Sequence, residues 1–365
     1  MEVIFGSYFW KLFLEVIFGK NIVYYFKYLN YVYYFLFIIM NILIYGINGW
    51  IGSQFREILI TKNINFVEGI SRVDNEIDLE KEINNINPTH IISFIGRKHG
   101  KIYNKTYNTI DYLEYKGKIY ENVRDNLFSP LLLAFICKNK NIHLTYLGSG
   151  CIFSYTLQSH PYEQEINGFT EDSKPNFFGS NYSIVKGFSD RIMNLYADSV
   201  LNLRIRMPIN AQENPHNLIT KLINYKKICS IRNSMSVLPE LLPLIIPLME
   251  NRTVGTLNFT NPGLISHNTI LEMYKEIVDP EFRWKNFTEM QQYKTILCDR
   301  TNNYLDTTRL ETLCPEVLNI KDSVRKVLYE YKKNYSYSSE SLSGYTSDNT
   351  SDDTSDNSVL NTIID

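Results

Sequence analysis

Two short runs in this chain could do chemistry together. Ile42-Leu43-Ile44-Tyr45-Gly46-Ile47-Asn48-Gly49-Trp50-Ile51-Gly52 is an apolar strand that breaks into three glycines, each three residues from the next. Tyr182-Ser183-Ile184-Val185-Lys186 places a phenol and an amine one helical turn apart on one face. Glycines in such a turn let the backbone approach a diphosphate and let the next helix pack closely, while the helix N-terminus attracts the phosphates. In a Tyr-x-x-x-Lys pair the lysine holds the nicotinamide ribose and lowers the tyrosine pKa by its charge. The tyrosine then exchanges a proton with a carbonyl or hydroxyl oxygen. Either run alone is weak, the second more so in a chain with 27 tyrosines. In this order they describe a dinucleotide cradle with a proton donor beside the nicotinamide.

Further residues extend each half. Asn48, Trp50 and Ile51 complete the glycine turn. Phe94-Ile95-Gly96, after a later apolar strand, and Met207-Pro208, in the loop expected to flank the nicotinamide, are further candidates for the cofactor wall. The second strand ends Gly69-Ile70-Ser71-Arg72. An acid there would grip a ribose hydroxyl, whereas an arginine favours a 2′-phosphate, so Arg72 favours NADPH. Glu68 would argue for NADH if it reached the ribose. Ser149 follows the strand Leu144 to Leu147 and can hydrogen-bond the same oxygen as Tyr182.

Cys151 stands two residues beyond Ser149. Sugar 4,6-dehydratases place carboxylates here, so Gly150 and Cys151 disfavour dehydration. A thiolate beside a substrate could instead take a proton from carbon next to a ketone. An ordinary cysteine has a pKa of ~8.5, so it needs positive charge nearby, such as Lys186. The plainer alternative is a small buried core residue. Inverting a stereocentre also needs an acid on the opposite face. The run Asn214-Pro215-His216-Asn217-Leu218-Ile219-Thr220-Lys221 offers both His216 and Lys221.

Alternating elements must position these groups. Helices are predicted over 54–62, 80–86, 118–137 and 182–196. Strands are predicted over 65–70, 90–95, 142–147 and 200–205. Such alternation predicts an α/β fold with a doubly wound parallel sheet. After Pro208 the pattern weakens to helices over 218–225 and 238–249 and a short strand over 256–259. This reads as a smaller lobe closing over a cleft. The expected organisation is an apolar extension over 1–39 and an NADP-binding domain over 40–210. A substrate-binding lobe over 211–333 follows, with some segments returning to the main sheet, and then an acidic Ser/Thr/Asp tail over 334–365.

Hydrophobic residues make up 44% of the chain, enough for a core. The formal charge of −2 hides a polarity, because the last 32 residues hold six acids and no Lys or Arg. The body between extension and tail is mildly basic. That excludes the clustered basic face of a nucleic-acid binder but suits a phosphate-bearing small molecule. Five scattered cysteines without a C-x-x-C argue against a disulfide framework and for a reducing compartment, the cytoplasm. Six histidines without ligand spacing predict no metal. In the extension, Lys27 and Asn30 interrupt the apolar run, and 31–40 alone is short of the ~20 residues a bilayer needs. Met40 is therefore the favoured functional start. A membrane anchor or signal-like segment is the alternative, and an extra helix the third. The tail cannot bury enough surface to order itself and is predicted to be disordered.

The residues together resemble the bifunctional 3,5-epimerase/4-reductases that make nucleotide-linked L-rhamnose in plants and giant DNA viruses. These are extended short-chain dehydrogenases related to dTDP-4-dehydrorhamnose reductase, with a Rossmann-like sheet. The resemblance runs from about Met40 to Val327. It is carried by Gly49-Trp50-Ile51-Gly52, Gly150-Cys151-Ile152-Phe153, Lys174-Pro175-Asn176-Phe177, Arg204-Ile205-Arg206-Met207-Pro208-Ile209, Asn258-Phe259-Thr260-Asn261-Pro262-Gly263 and Arg300-Thr301-Asn302-Asn303. The Asn/Ile/Tyr/Lys-rich composition suits an AT-rich viral genome, which would place the protein in host cytoplasm. The resemblance implies a UDP- or dTDP-4-keto-6-deoxy-D-glucose substrate and a homodimer. It also implies Cys151 and Lys221 as epimerase acid and base, and Tyr182, Lys186 and Ser149 as the reductase centre. Arg300 and Asn303, with Asn233 nearby, would contact the nucleotide diphosphate. Three departures stand out: Ser149 replaces a threonine, His216 an arginine, and Pro239 an acid.

Overall fold

The computed structural model describes residues 40–155 and 167–343. The expectations for 1–39 and 344–365 lie outside the described residues. Among those described, no helix is long and apolar enough to cross a membrane, and no three His, Cys, Asp or Glu side chains cluster as a metal site would require.

Six strands form one sheet: β1 (Ile42–Tyr45), β2 (Phe66–Glu68), β3 (His90–Ser93), β6 (His143–Ser149), β7 (Val200–Ile205) and β8 (Gly255–Asn258). Their order is β2-β1-β3-β6-β7-β8, and every neighbouring pair is parallel. The strand order reverses between β1 and β3, which opens a crevice beyond their C-terminal ends. Both strands are buried along their whole length, as expected of parallel strands covered on two faces.

Helices α1 (Trp50–Thr61), α2 (Glu76–Ile86), α3 (Lys118–Val123), α4 (Ser129–Asn139) and α5 (Asn181–Met193) fill the crossovers. Leu79 and Ile83 of α2 join Leu133 and Ile136 of α4 and Leu43 and Ile91 of the sheet in one core. Helix α2 starts where Asn75 accepts a hydrogen bond from the Asp78 amide at 3.3 Å. Its acidic first turn complements the helix dipole.

The single long helix predicted over 118–137 is broken. Between α3 and α4 the chain takes a π turn over Arg124–Phe128. The π turn faces Asn126 and Asp125 toward the loop after β3. Asn126 Oδ1 accepts from the Arg97 amide at 2.9 Å, and its amide group donates to the Arg97 carbonyl at 2.7 Å. A hairpin of β4 (Gly100–Ile102) and β5 (Lys105–Tyr107), absent from the sequence reading, continues that loop.

Beyond β7 come α6 (Leu218–Asn224), α7 (Leu238–Leu241), α8 (Ile245–Glu250), α9 (His267–Ile277), α10 (Glu289–Tyr293), α11 (Thr308–Leu313) and α12 (Ile320–Ser343). Parts of α6, α9 and α12 share a second core around Ile219, Leu271, Tyr274 and Val324. The region after residue 210 also supplies β8, which pairs with β7 in the main sheet. Helix α12 runs through Asn334, so the first ten residues of the predicted disordered tail are helical instead. Its apolar positions on one face were too sparse in that stretch to signal this.

At the N-terminal edge of the sheet, the rings of His90 and His143 lie 5.3 Å apart. They bond the Met249 and Thr253 carbonyls at 3.1 and 2.7 Å, tying β3 and β6 to the segment that leads into β8. Burial pushes His90 down to about 4 and lowers His143 in the same direction. A neutral folded imidazole and an unfolded one that protonates near 6.5 make stability fall as pH falls between about 6.5 and 4. Urea titration is expected to show a loss on the order of 2 kcal/mol attributable to His90 between pH 7 and 5. A His90→Gln variant should flatten that slope, and an unchanged slope would remove His90 as its source.

Candidate active site

The glycine turn is built as tightly as its spacing predicts. Gly46 has φ of +75°, and a Cβ there would lie 3.0 Å from the Phe94 carbonyl carbon and the Ile95 nitrogen. A Cβ on Gly52 would lie 2.3 Å from the Gly46 oxygen. Gly49 precedes α1 without any side-chain cap, so the first amides of the helix, at Trp50, Ile51 and Gly52, open on a cleft of about 390 Å³. A cradle that a single methyl would fill, facing uncapped helix amides, fits a dinucleotide diphosphate. Beyond β2, Arg72 is exposed and ion-paired with Asp74 at 2.9 Å. Glu68 is engaged by Arg56 at 3.0 Å. Glu82 holds the Ile70 and Ser71 amides at 2.7 and 3.1 Å and so fixes the loop that presents Arg72.

Ser149, Cys151, Tyr182 and Lys186 all line the same cleft, with Gly49, Phe94, Gly96, Met207 and Pro208 on its walls. Helix α5 begins one residue before Tyr182 because Ser180 caps it, accepting from the Ser183 amide at 3.1 Å. Burial and the neighbouring Cys151 raise the Tyr182 phenol above its ordinary range, and a hydrogen bond with Ser149 opposes them. Lys186 follows one turn after Tyr182 on α5. Its amine donates to the Tyr146 hydroxyl at 2.6 Å and lies over that ring at 4.7 Å. Burial lowers it to about 8, with Asp190 and Cys151 opposing. The Tyr146 hydroxyl, on β6, is thus the hydrogen-bond partner of the Lys186 amine.

Cys151 is fixed on both sides. Its amide donates to Ser149 Oγ at 3.1 Å, and its sulfur accepts from Arg206 Nη1 at 3.3 Å. Residues of α6 and of the loop after β3 also line the cleft. Lys221 Nζ donates to the Asn108 carbonyl at 3.2 Å, just past the hairpin. Two neighbours, Lys98 and His99, were missed by sequence reasoning. The signal was the basic run Arg97-Lys98-His99 directly after an apolar strand. Burial and Lys221 push Lys98 down to about 7, with Cys151 opposing. Arg97, Lys98, Lys186, Arg206, Lys221, Lys227 and Arg300 line the cleft against one acid, Asp299, as a polyphosphate ligand would need.

No family model matches the chain. It is 49% identical over 293 residues to a protein of Acanthamoeba polyphaga mimivirus, which covers 80% of this chain and 99% of the relative. The crystal structure of a UDP-rhamnose synthase from that virus aligns with a TM-score of 0.76 at 49% identity, over 80% of this chain and 99% of the other. The bifunctional dTDP-4-dehydrorhamnose 3,5-epimerase/dTDP-4-dehydrorhamnose reductase of Arabidopsis thaliana is 40% identical over 294 residues, covering 80% and 94%. The chain belongs to this nucleotide-rhamnose epimerase/reductase family. A dTDP-4-dehydrorhamnose reductase from Bacillus anthracis, solved with NADP, shares the fold at 15% identity and a TM-score of 0.62, over 80% of this chain and 98% of that one.

Within this family member, the three residues assigned to the nucleotide diphosphate divide. Arg300 lines the cleft, pairs with Asp111 and donates to the Cys298 carbonyl at 2.9 Å. Asn233 and Asn303 do not line it. Both are fully buried. Asn233 Oδ1 accepts from Arg206 Nη2 at 2.6 Å and from the Asn303 amide at 2.8 Å. The Asn303 side chain donates to the Gly150 and Phe153 carbonyls at 3.0 and 2.8 Å. These amides frame Arg206 and the Cys151 loop instead of meeting a ligand. Asn303→Ala is therefore expected to lower unfolding free energy by about 2 kcal/mol, because it orphans buried carbonyls. Chemical denaturation checks this, and a variant of unchanged stability with a raised nucleotide KM would restore Asn303 to the binding site.

Proposed function

We propose that this protein converts UDP- or dTDP-4-keto-6-deoxy-D-glucose to the corresponding L-rhamnose nucleotide by 3,5-epimerisation followed by 4-reduction. The observation that carries this reading is one cleft holding both Cys151 and the Ser149–Tyr182 pair, with Lys221 on its wall. Homology to the mimivirus and plant enzymes supports it. The C4 ketone acidifies the hydrogens at C3 and C5. Cys151 removes such a proton, and Tyr182 and Ser149 hydrogen-bond the enolate oxygen. Lys221 returns a proton from the other face. His216, the second candidate, packs against His99 and Trp50, which favours Lys221. A bound NADPH supplies hydride to C4. Tyr182 protonates the resulting alkoxide, so both steps use one polarised carbonyl.

The choice of NADPH rests on Arg72 at the end of β2 and on the engagement of Glu68 by Arg56. Five unpaired cysteines fit the host cytoplasm. We read the protein as a homodimer through α3, α4 and α5, which pack side by side. Together they expose Tyr120, Phe135 and Phe188 at 70%, 45% and 57%, an apolar face of the kind that a second copy covers. Light scattering is expected to give twice the chain mass, and Phe188→Asp to give monomer; a wild-type monomer would contradict the interface.

Incubating the full chain with UDP-4-keto-6-deoxyglucose and NADPH in D2O tests the reaction. Expected are NADPH loss, an L-rhamnose nucleotide and deuterium at C3 and C5. Cys151→Ala should slow deuterium incorporation by at least about 100-fold yet still reduce UDP-4-keto-L-rhamnose, whereas Tyr182→Phe should lose reduction. Product of D configuration without deuterium would leave a reductase alone.

A further inference from the structure

Two histidines on the cleft wall have a role that neither reaction step uses. His99 closes the basic run after β3, and His216 lies in the turn before α6. Both turns are set by backbone contacts. The His216 amide donates to Asn214 Oδ1 at 2.9 Å, and the buried Asn217 side chain donates to the Asn210 and Gln212 carbonyls, each at 2.8 Å. The loop bearing His99 is clamped by Asn126. The scaffold thus brings the two rings together, with centroids 4.2 Å apart.

Their surroundings are one-sided. The charges acting on His99 are Lys98, Arg97 and Lys221. Those acting on His216 are Lys98, His99 and Lys221. Arg97 is already engaged by Asp125 at 2.8 Å. The Nδ1 atom of each histidine is buried without a hydrogen-bond partner. Orphaned ring nitrogens among cations form a conflict that an anion with several acceptor oxygens would resolve. The His216 ring lies 6.1 Å from that of Trp50, the residue that opens α1 at the glycine turn. Both rings line the cleft together with Gly49 and Trp50.

We propose that His99 and His216 form a proton-dependent seat for the diphosphate of a bound nucleotide, with the dinucleotide cofactor as its source. This rests on reading the cleft as a nucleotide site. Before binding, burial and the surrounding cations hold His99 at about 4 and His216 at about 3, so both rings are neutral at pH 7. A diphosphate supplies the missing negative charge and raises both pKa values. The complex therefore holds more protons than the free protein, and affinity is lost as pH rises through the bound-state pKa.

The test is NADPH affinity at pH 5.5, 6.5 and 7.5, for the full chain and for the double variant His99→Gln/His216→Gln. The ligand's own titration cancels in the comparison. Between pH 5.5 and 7.5 the wild type should lose about tenfold more affinity than the double variant, as expected for one linked proton per pH unit over part of the range. His216→Arg, a permanent cation, should bind with a flattened pH profile, and it carries the test if the double variant fails to fold. UDP is titrated in parallel. A histidine-dependent profile for UDP alone would keep the diphosphate seat and assign it to the sugar nucleotide. Parallel profiles of wild type and variants for both ligands would overturn the proposal while leaving the nucleotide site standing. Failure of both ligands to bind the wild type at any pH would overturn that reading as well.

Discussion

A guanidinium taken out of water without a carboxylate to meet it is costly unless every N–H finds an acceptor. Arg206 is such a group: it is 1% exposed at the end of β7, and burial pushes its pKa down. Its two terminal nitrogens meet Asn233 Oδ1, Thr301 and the Cys151 sulfur, while its Nε is buried without a hydrogen-bond partner. Only the sulfur can become an anion. Placing acceptors around its two terminal nitrogens shapes much of the surrounding structure. Asn233 must be held, and its side-chain amide donates to Asn302 Oδ1 at 2.9 Å. Asn303 must bridge to the loop that carries Cys151. Three segments far apart in sequence are thereby locked around one side chain, with the reactive sulfur on its outer edge.

Arg204 stands two residues earlier on β7, so the two arginines leave the strand on the same face. Its environment is the opposite case. Asp190 of α5 meets it in a bidentate pair with both contacts at 2.8 Å, and the Phe153 ring lies 5.0 Å from the guanidinium carbon. This pair bolts α5 to the sheet, and α5 carries Tyr182 and Lys186. One arginine is neutralised to fix a helix. The other is left with neutral acceptors so that its charge faces the cleft. Removing Arg204 would free the helix that carries Tyr182, and removing Arg206 would take the partner from the Cys151 sulfur.

The elements that carry chemistry were legible because local sequence determines them. A strand breaking into Gly46, Gly49 and Gly52 has few other conformations, and Tyr182 with Lys186 follows helical spacing wherever it occurs. The alternation of strands and helices gave the sheet, with each predicted strand found within about two residues. What sequence did not reveal is set by non-local contacts. The π turn at Arg124–Phe128 has no signature of its own and exists to bring Asn126 to the Arg97 backbone. The hairpin after β3 is three residues per strand and half-exposed, too short for its alternation to register. Asn233 and Asn303 were placed on the ligand because buried amides in a motif look alike whether they bind a phosphate or a neighbouring arginine. Only their burial separates the two roles. Helical spacing sets Lys186 beside Tyr182, while its bond to the Tyr146 hydroxyl on β6 is a non-local contact that spacing cannot show.

The cleft carries an excess of positive charge that suits both steps of the proposed reaction. Lys98 and Lys186 are held by burial at about 7 and 8. Each can therefore respond to charge that appears beside it, where an exposed lysine would stay fully protonated. In epimerisation negative charge develops on the C4 oxygen as an enolate, and in reduction it develops on the same oxygen as an alkoxide. In the proposed reaction, donors set against that oxygen would stabilise both without rearrangement between steps. Burial and the neighbouring Cys151 hold the Tyr182 phenol above its ordinary range, so it is protonated and able to donate at neutral pH. In the proposed reaction one carbonyl oxygen thus serves proton abstraction first and hydride transfer second, and Cys151 acts in the first step alone.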